Sequence, residues 1–597
     1  MTDSRRPREG SSIMNSKGTQ SKEGGNTMTL KRWTLTMMTT GLIGSMLLTA
    51  CSGNNEGKSV GNSQEGTAPP ASAGSASIAS GGDGTTTDPT AEPLGKYDPP
   101  IKLTSARGVD STYKYEAGDD LEHNVWTRAY QDDLGIDFSY DWTVAAAQYD
   151  EKLNIAIASG DLPDMFTVNA TQLKNLVDAG QIADLTSSWD QYATDYTKQI
   201  VTEDGGHSLQ SATFNGKVYA IPNTLSAVDT ASVLWVRTDW LTKLGLSEPQ
   251  SLQDVLTIAK AFATQDPDGN GKQDTYGLAV HKNLWDGWAG LEGFFNAYGA
   301  YPQIWVRDEA SGQLAFGTVQ PAMKQALADL QNLYETGAID PEFGVKDPGK
   351  EGELADKFGL FFGKQWAPIS PLQAAKNLDP EMDWKAFPIY DLNGQPTKSQ
   401  AKFPVQSYTV VRKGYEHPEA AVKLANLFAD KMFGPDMEPS KYGTTADNIE
   451  VFHAAVAQIW PNSQNQEAQA SISAALNSND PSSLTPALKS TYDNIVKFRN
   501  GDNSTWAFER IFGPVSSQSV LNQYLEQNLL QNNEFFGAPT PMIGSKQSSL
   551  DKMTLENLTK IIMGDASVDD FDTYVKNWSN LGGADITNEV NEWYAAQ

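Results

Sequence analysis

The chain has 597 residues, more than one small domain needs, so its length predicts two or more lobes. Its formal net charge is −29, and this acidic balance argues against a partner with a phosphate backbone, such as a nucleic acid. Cys51 is the single cysteine, which excludes an intrachain disulfide framework and any zinc or iron–sulfur site built from cysteines.

The N-terminal segment has the pattern of an export signal. Lys31 and Arg32 precede an apolar stretch that is too short, and too often interrupted by Thr and Gly, for a transmembrane span. The stretch ends in Leu48-Thr49-Ala50-Cys51, which resembles a bacterial lipobox; the alternative is an uncleaved anchor with an incidental cysteine. We predict a polar leader plus lipoprotein signal peptide over residues 1–50, followed by a lipidated Cys51 that carries palmitate-type chains.

A flexible tether follows the lipidated cysteine. Residues 51–100 are rich in Gly, Ser, Thr, Ala and Pro and contain few large apolar side chains, so they cannot bury a core. Residues 1–27 are polar and precede the signal, so we expect translation to start at Met28 or Met14. The expected localisation is the outer face of the bacterial cytoplasmic membrane, with the lipid anchor as the membrane attachment.

Strand and helix patterns alternate at the start of the folded part. Strands are predicted at residues 101–104, 136–142 and 165–168, and helices at residues 124–135 and 148–159. This β-α-β-α-β order predicts an open parallel sheet with right-handed crossovers, and ligands of such sheets bind beyond the carboxyl ends of the strands. The fold class is therefore α/β.

A second lobe is predicted to begin near Leu241. Amphipathic helices are predicted at residues 252–263 and 320–336, the second starting near Pro321, and the C-terminal third from His417 is mainly helical by composition. Short strands at residues 232–237 and 405–411 are predicted where the chain crosses between the lobes.

Several segments resemble the extracellular solute-binding proteins of ABC importers, in particular the large lipoprotein branch that includes alginate- and other oligosaccharide-binding members. The segments that carry the resemblance are Lys152–Asp164, Asn215–Pro222, Arg237–Leu246, the acidic loop that begins at Asp266, Gly337–Phe343 and Asn588–Tyr594. Each segment alone is only weakly specific for the family, but the order and spacing of all the segments together are fairly specific.

The resemblance implies a type II-like periplasmic-binding-protein fold over residues 101–597, with two α/β lobes joined by hinge strands. Lobe 1 would comprise about 101–230 with part of 405–597, and lobe 2 about 241–404 with part of 430–597. The lobes would close on an oligosaccharide for delivery to ABC permease subunits. The chain has no Gly-x-x-x-x-Gly-Lys-Ser/Thr motif, so a separate ATPase would be needed. We expect a monomer.

An acidic loop predicts a structural calcium ion. Oxygen-bearing side chains stand at loop positions 1, 3, 5 and 9, Gly271 allows the sharp turn at position 6, and position 7 would contribute its carbonyl. The predicted ligands are Asp266, Asp268, Asn270, Lys272 and Asp274. Position 12 is Gly277 instead of a bidentate Glu, so a simple acidic turn is the alternative. No organic cofactor is expected.

Candidate ligand residues are expected in loops where a Trp stands beside Asp or Asn, because sugars stack on flat rings and present hydroxyls to polar groups. In lobe 2, Trp285, Asp286 and Trp288 follow a predicted strand, and the resemblance to maltose-type relatives implies stacking by a Trp and hydroxyl binding by Asp286. Trp366 follows another predicted strand and would be a second stacking platform.

In lobe 1, Arg107 and Asn169 follow predicted strands and are expected at the cleft. Trp142 ends a strand, while Trp235 and Tyr408 lie in the predicted crossing strands; a crossing-strand Trp is equally compatible with a core position. An anionic ligand such as a uronate would need a cation, for which Arg107 and Lys364 are the candidates.

The alternative functions are an extracellular glycoside hydrolase and a carbohydrate-binding surface lipoprotein without a transport role. A hydrolase needs two carboxyl groups flanking one bond, and 74 Asp and Glu residues leave that open. However, no hydrolase signature, Gly-x-Ser-x-Gly motif or His-x-x-x-His pair is present. We therefore expect a binding protein, not an enzyme. A calcium-braced adhesin would predict repeats, and none are found.

Overall fold

The computed structural model describes residues 91–285, 287–435, 437–445 and 449–597. Cys51, the predicted signal peptide, residues 51–90 of the predicted tether and Asp286 lie outside the described residues. Residues 91–100 of the predicted tether are instead part of the folded protein, because Tyr97 is buried in a hydrophobic core. Within the described part of the chain, no helix is both long enough and apolar enough to cross a membrane.

Fifteen strands are present in the described residues. They are β1 (Ile101–Val109), β2 (Ile136–Ala145), β3 (Met165–Val168), β4 (Thr213–Phe214), β5 (Lys217–Val218), β6 (Ile221–Thr224), β7 (Val233–Arg237), β8 (Tyr276–Leu278), β9 (Trp305–Arg307), β10 (Leu314–Phe316), β11 (Phe358–Gly363), β12 (Trp384–Phe387), β13 (Ser399–Ala401), β14 (Val405–Val411) and β15 (Leu530–Asn532).

The α-helices of the described residues follow in the same order. They are α1 (Val125–Leu134), α2 (Tyr149–Ser159), α3 (Ala170–Asp178), α4 (Thr186–Tyr192), α5 (Asp195–Thr202), α6 (His207–Ser211), α7 (Thr238–Leu244), α8 (Leu252–Thr264), α9 (Glu292–Asn296), α10 (Ala322–Glu335), α11 (Pro348–Gly352), α12 (Gln373–Leu378), α13 (Ala420–Phe433), α14 (Pro439–Tyr442), α15 (Gln464–Ser478), α16 (Pro486–Arg499), α17 (Trp506–Phe512), α18 (Ser517–Glu526), α19 (Pro541–Ile562), α20 (Asp570–Trp578) and α21 (Ala584–Ala595).

The first β-α-β unit forms where its sequence signals place it. The side chain of Asn124 accepts hydrogen bonds from the first-turn amides of α1, and Gly135 ends the helix with φ 68°, a value that favours glycine. β1 and β2 then pair in parallel, with Ile101 opposite Ile136. The predicted parallel pair is thus present.

β3 departs from the prediction of a continuous parallel sheet. It pairs antiparallel with β14, and β14 pairs antiparallel with β6, giving the order β3–β14–β6. A local sequence pattern identifies a strand but does not identify its partner, which here lies more than 200 residues away. β14, predicted as a crossing strand, is instead the central strand of the lobe 1 sheet.

The other predicted crossing strand is also central to a sheet. β7 lies between β12 and β11 in the order β12–β7–β11–β8, and all five of its residues are buried. β8 and β11 run parallel, so their carboxyl ends meet at one edge of the lobe 2 sheet. This edge positions the loops that were expected to carry the lobe 2 ligand residues.

The apolar side chains form separate cores for two lobes. The lobe 1 cores combine β1–β6 with β14 and α13 and include Trp126, Ile221 and Phe428. The lobe 2 cores combine β7–β12 with the helices from α17 onward and include Trp235 and Leu558. This is the predicted two-lobed α/β architecture with a mainly helical C-terminal third.

The chain crosses between the lobes three times, at residues 225–231, 402–404 and 461–463, which we call the crossing segments. They are held together by hydrogen bonds of individual groups: Asn462 Oδ1 accepts from the Ala227 amide at 2.7 Å, and the Lys402 amide donates to Thr230 Oγ1 at 2.8 Å. The Leu225 amide also donates to the Pro404 carbonyl at 2.9 Å. Three short segments joined in this way can act as a hinge.

Candidate ligand-binding cleft

A cavity of about 340 Å³ opens in lobe 1 at one edge of its strands. Arg107 and Gly108 line it from the carboxyl end of β1, Thr167 from that of β3, and Asn223 from that of β6. β14 runs antiparallel to its neighbours, so Ser407 near its start reaches the same edge. The cavity therefore lies where ligands of open α/β sheets bind.

Arg107 braces one wall of this cavity. Its Nη1 donates to the Ala454 carbonyl at 3.0 Å and to Tyr140 Oη at 3.2 Å, and its Nη2 donates to the His453 carbonyl. Ala455 and Val456, which follow these carbonyls, line the cavity. The guanidinium thus holds a distant loop in place as a wall of the cavity.

Tyrosine and amide groups supply most of the remaining polar surface. Tyr149 Oη donates to the Thr167 carbonyl at 2.9 Å, and burial raises the pKa of this phenol, which stays neutral. Asn223 Nδ2 donates to Ser407 Oγ at 3.0 Å, and Asn223 Oδ1 accepts from the Gln458 amide at 3.2 Å. Such hydroxyl and amide groups can both donate to and accept from sugar hydroxyls.

A larger cavity of about 820 Å³ lies at the opposite end of β1. It is lined by Lys102 near the start of β1, by Asp164 just before β3 and by Arg412 just after β14. Arg412 Nη2 lies 2.8 Å from Asp164 Oδ1, so these two charges neutralise each other. Because it is at the amino ends of β1 and β3, this cavity is the weaker candidate for the ligand.

Lobe 2 presents an exposed aromatic side chain at the carboxyl end of β11. Trp366 is 39% exposed and stands beside Ile369, which is 57% exposed. Lys364, two residues earlier, donates from Nζ to the Thr230 carbonyl of the first crossing segment. The same segment begins at Leu225, which lines the lobe 1 cavity. The lobe 1 cavity and the loop that carries Lys364 and Trp366 therefore both contact the first crossing segment.

Residues 106–436, more than half of the chain, match the family described as bacterial extracellular solute-binding proteins. The chain belongs to this family. The predicted family is confirmed, and binding of a solute is therefore the role of the two-lobed structure.

Two curated relatives of this solute-binding protein come from Bacillus subtilis strain 168. Lipoprotein LipO is 25% identical over 482 residues, which cover 78% of this chain and 88% of LipO. The polygalacturonan/rhamnogalacturonan-binding protein YtcQ is 24% identical over 463 residues, which cover 75% of this chain and 84% of YtcQ.

A solved structure shares the fold. The ABC-transporter substrate-binding protein FusA of S. pneumoniae, in complex with kestose, aligns with a TM-score of 0.53 and 16% sequence identity. The alignment covers 83% of this chain and all of FusA. The predicted two-lobed fold is confirmed by this likeness.

The tryptophans predicted after β8 are less accessible in this solute-binding protein than Trp366. Trp288 is 4% exposed, packs edge-on against Phe361 and donates from Nε1 to the Pro348 carbonyl at 3.1 Å. Trp285 is partly buried and packs against Phe295, with ring centroids 5.8 Å apart. Trp288 therefore packs inside lobe 2, and the prediction that it stacks on the ligand is corrected. Stacking by Trp285 stays a prediction.

Trp235 and Tyr408 occupy core positions because their strands are central in the two sheets. Trp235 is fully buried against Phe361, and Tyr408 is 4% exposed with its hydroxyl donating to Ser211 Oγ at 2.9 Å. Neither ring has a face free for a ligand, so the structure corrects both predictions. The core alternative for Trp235 is the one observed.

Asn169 and Trp142 lie outside the residues that line the lobe 1 cavity. Asn169 caps α3, its side chain accepting from the Gln172 amide at 2.9 Å. Trp142 packs against Tyr149, whose ring lies 5.6 Å away, and Lys152 Nζ lies 5.3 Å from the Trp142 ring centre. Trp142 thus supports a cavity residue, while direct contact with a ligand stays a prediction for both.

The acidic loop places two of its predicted calcium ligands beside an ammonium group. Lys357 Nζ lies 3.1 Å from Asp274 Oδ2 and 3.4 Å from Asp268 Oδ2, and Asn270 Nδ2 donates to both carboxylates. Asp266 accepts from the Asn270 and Gly271 amides. The hydrogen bonds from Asn270 and Lys357 lower the pKa of Asp274.

Among the described residues, no group of three or more His, Cys, Asp or Glu is arranged to hold a metal ion. The donor set of the acidic loop is nevertheless entirely oxygen, the type that Ca²⁺ prefers. A calcium ion could use these oxygens if Lys357 moved away from Asp268 and Asp274.

Sequence reasoning missed most of the cavity. Tyr140 and Tyr149 could have been nominated, because Tyr140 lies within β2 and Tyr149 begins the helix that follows it. Asn223 and Ser407 could have been found only with the pairing of β6 and β14 known. Gln458 could not be predicted as a cavity residue, because its segment has no strand pattern and reaches the cavity only through long-range packing.

Proposed function

We propose that this solute-binding protein captures an oligosaccharide between the lobe 1 cavity and Trp366 of lobe 2. The observation that carries the proposal is the cavity itself, where neutral hydroxyl and amide groups stand beside the tyrosines Tyr140 and Tyr149. Polar groups of this kind bind sugar hydroxyls, and an exposed Trp can stack on a sugar ring. The names of YtcQ and FusA, which describe sugar-binding proteins, support the same class of ligand.

We infer a transport role at the outer face of the cytoplasmic membrane. The protein would be held by lipid on Cys51 after removal of a signal peptide and would act as a monomer that delivers sugar to ABC permease subunits with a separate ATPase. The lipobox sequence, the lipoprotein LipO and the description of FusA as an ABC-transporter protein support this inference.

Binding without hydrolysis is the favoured chemistry. A glycoside hydrolase places two carboxyl groups on either side of the scissile bond. No Asp or Glu is among the described residues that line the lobe 1 cavity. A lining without carboxyl groups therefore supports a binding protein over the hydrolase alternative.

We also propose that the acidic loop takes up a structural calcium ion, which would displace the ammonium of Lys357. The ligands would be the side chains of Asp266, Asp268, Asn270 and Asp274 with the carbonyl of Lys272. The ion would brace lobe 2, where the loop joins α8 to β8, and would not contact the sugar.

Thermal-shift screening tests the ligand proposal. Residues 91–597 are the appropriate fragment, because the carbonyls of Glu92 and Gly95 accept from Lys423 Nζ and would be lost in a shorter one. A bound oligosaccharide at 100 times its Kd should stabilise the fragment by about 2.7 kcal/mol and remain uncut. Sugar cleavage in the same tubes would favour the hydrolase, and the absence of any shift across a broad panel would contradict the proposal.

Membrane fractionation tests the anchor. The unmodified protein should incorporate an alkynyl palmitate analogue and sediment with membranes, whereas Cys51→Ala should incorporate none and be released after processing or retained as the precursor. Labelling of the Cys51→Ala protein would contradict acylation at this thiol.

A further inference from the structure

The charges around the lobe 1 cavity distinguish between two classes of sugar. Arg107 is the single charged residue among the described residues that line it; the other polar side chains are neutral hydroxyls and amides. Acidic oligosaccharides such as uronates carry a carboxylate on each residue, whereas glucans and fructans carry none. Whether the Arg107 guanidinium is available to a ligand therefore decides whether the cavity suits acidic or neutral oligosaccharides.

Both terminal nitrogens of Arg107 already donate to the protein. Nη1 donates to Tyr140 Oη and the Ala454 carbonyl, and Nη2 donates to the His453 carbonyl. Three of the five N–H donors of the guanidinium are therefore committed to the protein. A sugar carboxylate that bound both terminal nitrogens would compete with the carbonyls of the loop that forms the cavity wall. Those carbonyls would then lose their donors, which is unfavourable for partly buried groups.

The second cation that could serve an anionic sugar is also engaged. Lys364 is 6% exposed, and its Nζ donates to the Thr230 carbonyl at the first crossing segment. The net charge of −29 adds a long-range repulsion of anions. A carboxylate placed in this cavity would lose its hydration without gaining a free cation.

We propose that the cavity selects a neutral oligosaccharide and discriminates against uronates. Asn223, Ser407 and Gln458 supply the amide and hydroxyl groups for uncharged sugar hydroxyls, while Arg107 acts as a positioning residue for the wall. The proposal rests on the proposed function and names the class of sugar for the same site. Under this proposal, the protein would prefer a sugar without carboxylates, unlike a polygalacturonan-binding relative such as YtcQ.

Calorimetric titration of the full-length protein in detergent tests this selectivity. The neutral probes are maltotetraose, xylotetraose, laminaritetraose and nystose, and the anionic probes of matched length are tetragalacturonate and tetramannuronate. We expect at least one neutral probe to bind and both uronates to bind about 100-fold more weakly than it, or not at all. A uronate that binds as tightly as the best neutral probe would overturn the selectivity and leave the sugar-binding role intact. If no probe of either class binds, the proposed sugar-binding role itself fails.

A pair of variants supplies an independent readout. Gln406 is exposed at the rim of the cavity, so Gln406→Lys adds an unpaired cation there, and Gln406→Met is a neutral control of similar length. We expect Gln406→Lys to bind tetragalacturonate about 10-fold more tightly than Gln406→Met at low salt, with the gain reduced by added salt. Equal uronate affinity of the two variants would contradict the proposal that a missing cation excludes anions.

Discussion

At the scale of single residues, the role of Arg107 depends on the carbonyls it holds. Sequence position placed it at the cleft, and it does line the cavity, but its guanidinium bonds to a loop some 346 residues away in the chain. Its planar fork reaches acceptors on two sides at once, which the single ammonium of Lys cannot do.

We therefore expect Arg107→Lys to destabilise the protein by about 1–3 kcal/mol and to weaken binding of every accepted sugar. Thermal denaturation and calorimetry with the same sugar measure the two effects. Arg128→Lys is the matched control, because Arg128 is 54% exposed and pairs with Asp119 at the surface, where an ion pair contributes about 0–1 kcal/mol. Unchanged melting and binding in Arg107→Lys would contradict the positioning role.

Glu351 is a second residue whose surroundings matter, because they determine the pKa of its carboxyl group. It is fully buried, and no side chain of the described residues hydrogen-bonds to its carboxyl group, which the Val280 amide approaches. Burial, together with the nearby charge of Asp340, raises the pKa of Glu351 to about 8. The folded state therefore favours the protonated form, and stability falls as the pH rises from about 4.5 to about 8.

We expect Glu351→Gln to stabilise the protein by about 3 kcal/mol at pH 7 and to have little effect at pH 4, because the amide stays neutral at both values. Melting temperatures at pH 4, 6 and 8 measure the difference. Glu353→Gln is the control, since Glu353 is 65% exposed beside Lys350. A stabilisation that does not grow with pH would contradict a buried, protonated Glu351.

At the scale of secondary-structure elements, local sequence patterns predicted the positions of helices and strands better than they predicted which strands pair. The capping residues Asn124 and Gly135 bounded α1 correctly, and β3 was predicted over the residues that form it. The pairing of β3 with β14, which buries Tyr408, depends on packing across more than 200 residues of sequence and leaves no local trace. The same reason explains why the cavity was only partly predicted.

The acidic loop carries a prediction at this scale. Although partial burial opposes it, hydrogen bonds from Lys357 to Asp274 and Asp268 raise the pKa of Lys357, so the ammonium is a stable internal cation of the loop. If calcium competes with it, removal of the ammonium should increase calcium affinity. We expect calcium to raise the melting temperature of both the unmodified protein and Lys357→Met. The variant should reach the same rise at a lower calcium concentration.

Lys350→Met is the control for this competition, because Lys350 is exposed and pairs with Glu353 away from the loop. It should require the same calcium concentration as the unmodified protein. A chelator that leaves melting unchanged, with no response to added calcium in either protein, would rule out the calcium loop.

At the scale of the whole molecule, the proposed closure would bring together two lobes that have separate apolar cores. The lobe 1 cavity holds the polar groups, and Trp366 presents an exposed ring from lobe 2. Closure is favoured only by contacts that form in the closed state. A ring that stacks on a sugar bound in lobe 1 would be such a contact, and the crossing segments would provide the hinge.

We expect Trp366→Ala to bind sugar about 10-fold more weakly and to close less, because stacking would be lost while the lobe 1 groups remain. Small-angle scattering should show a smaller radius of gyration for the unmodified protein when sugar is added, and a reduced change for the variant at saturating sugar. Leu378→Ala is the control, since Leu378 is 88% exposed at the end of α12 and should behave as the unmodified protein. Both substitutions should leave the melting temperature without sugar nearly unchanged. Full closure of Trp366→Ala with unaltered affinity would place the lobe 2 contact elsewhere, and Trp285 would then be the next ring to test.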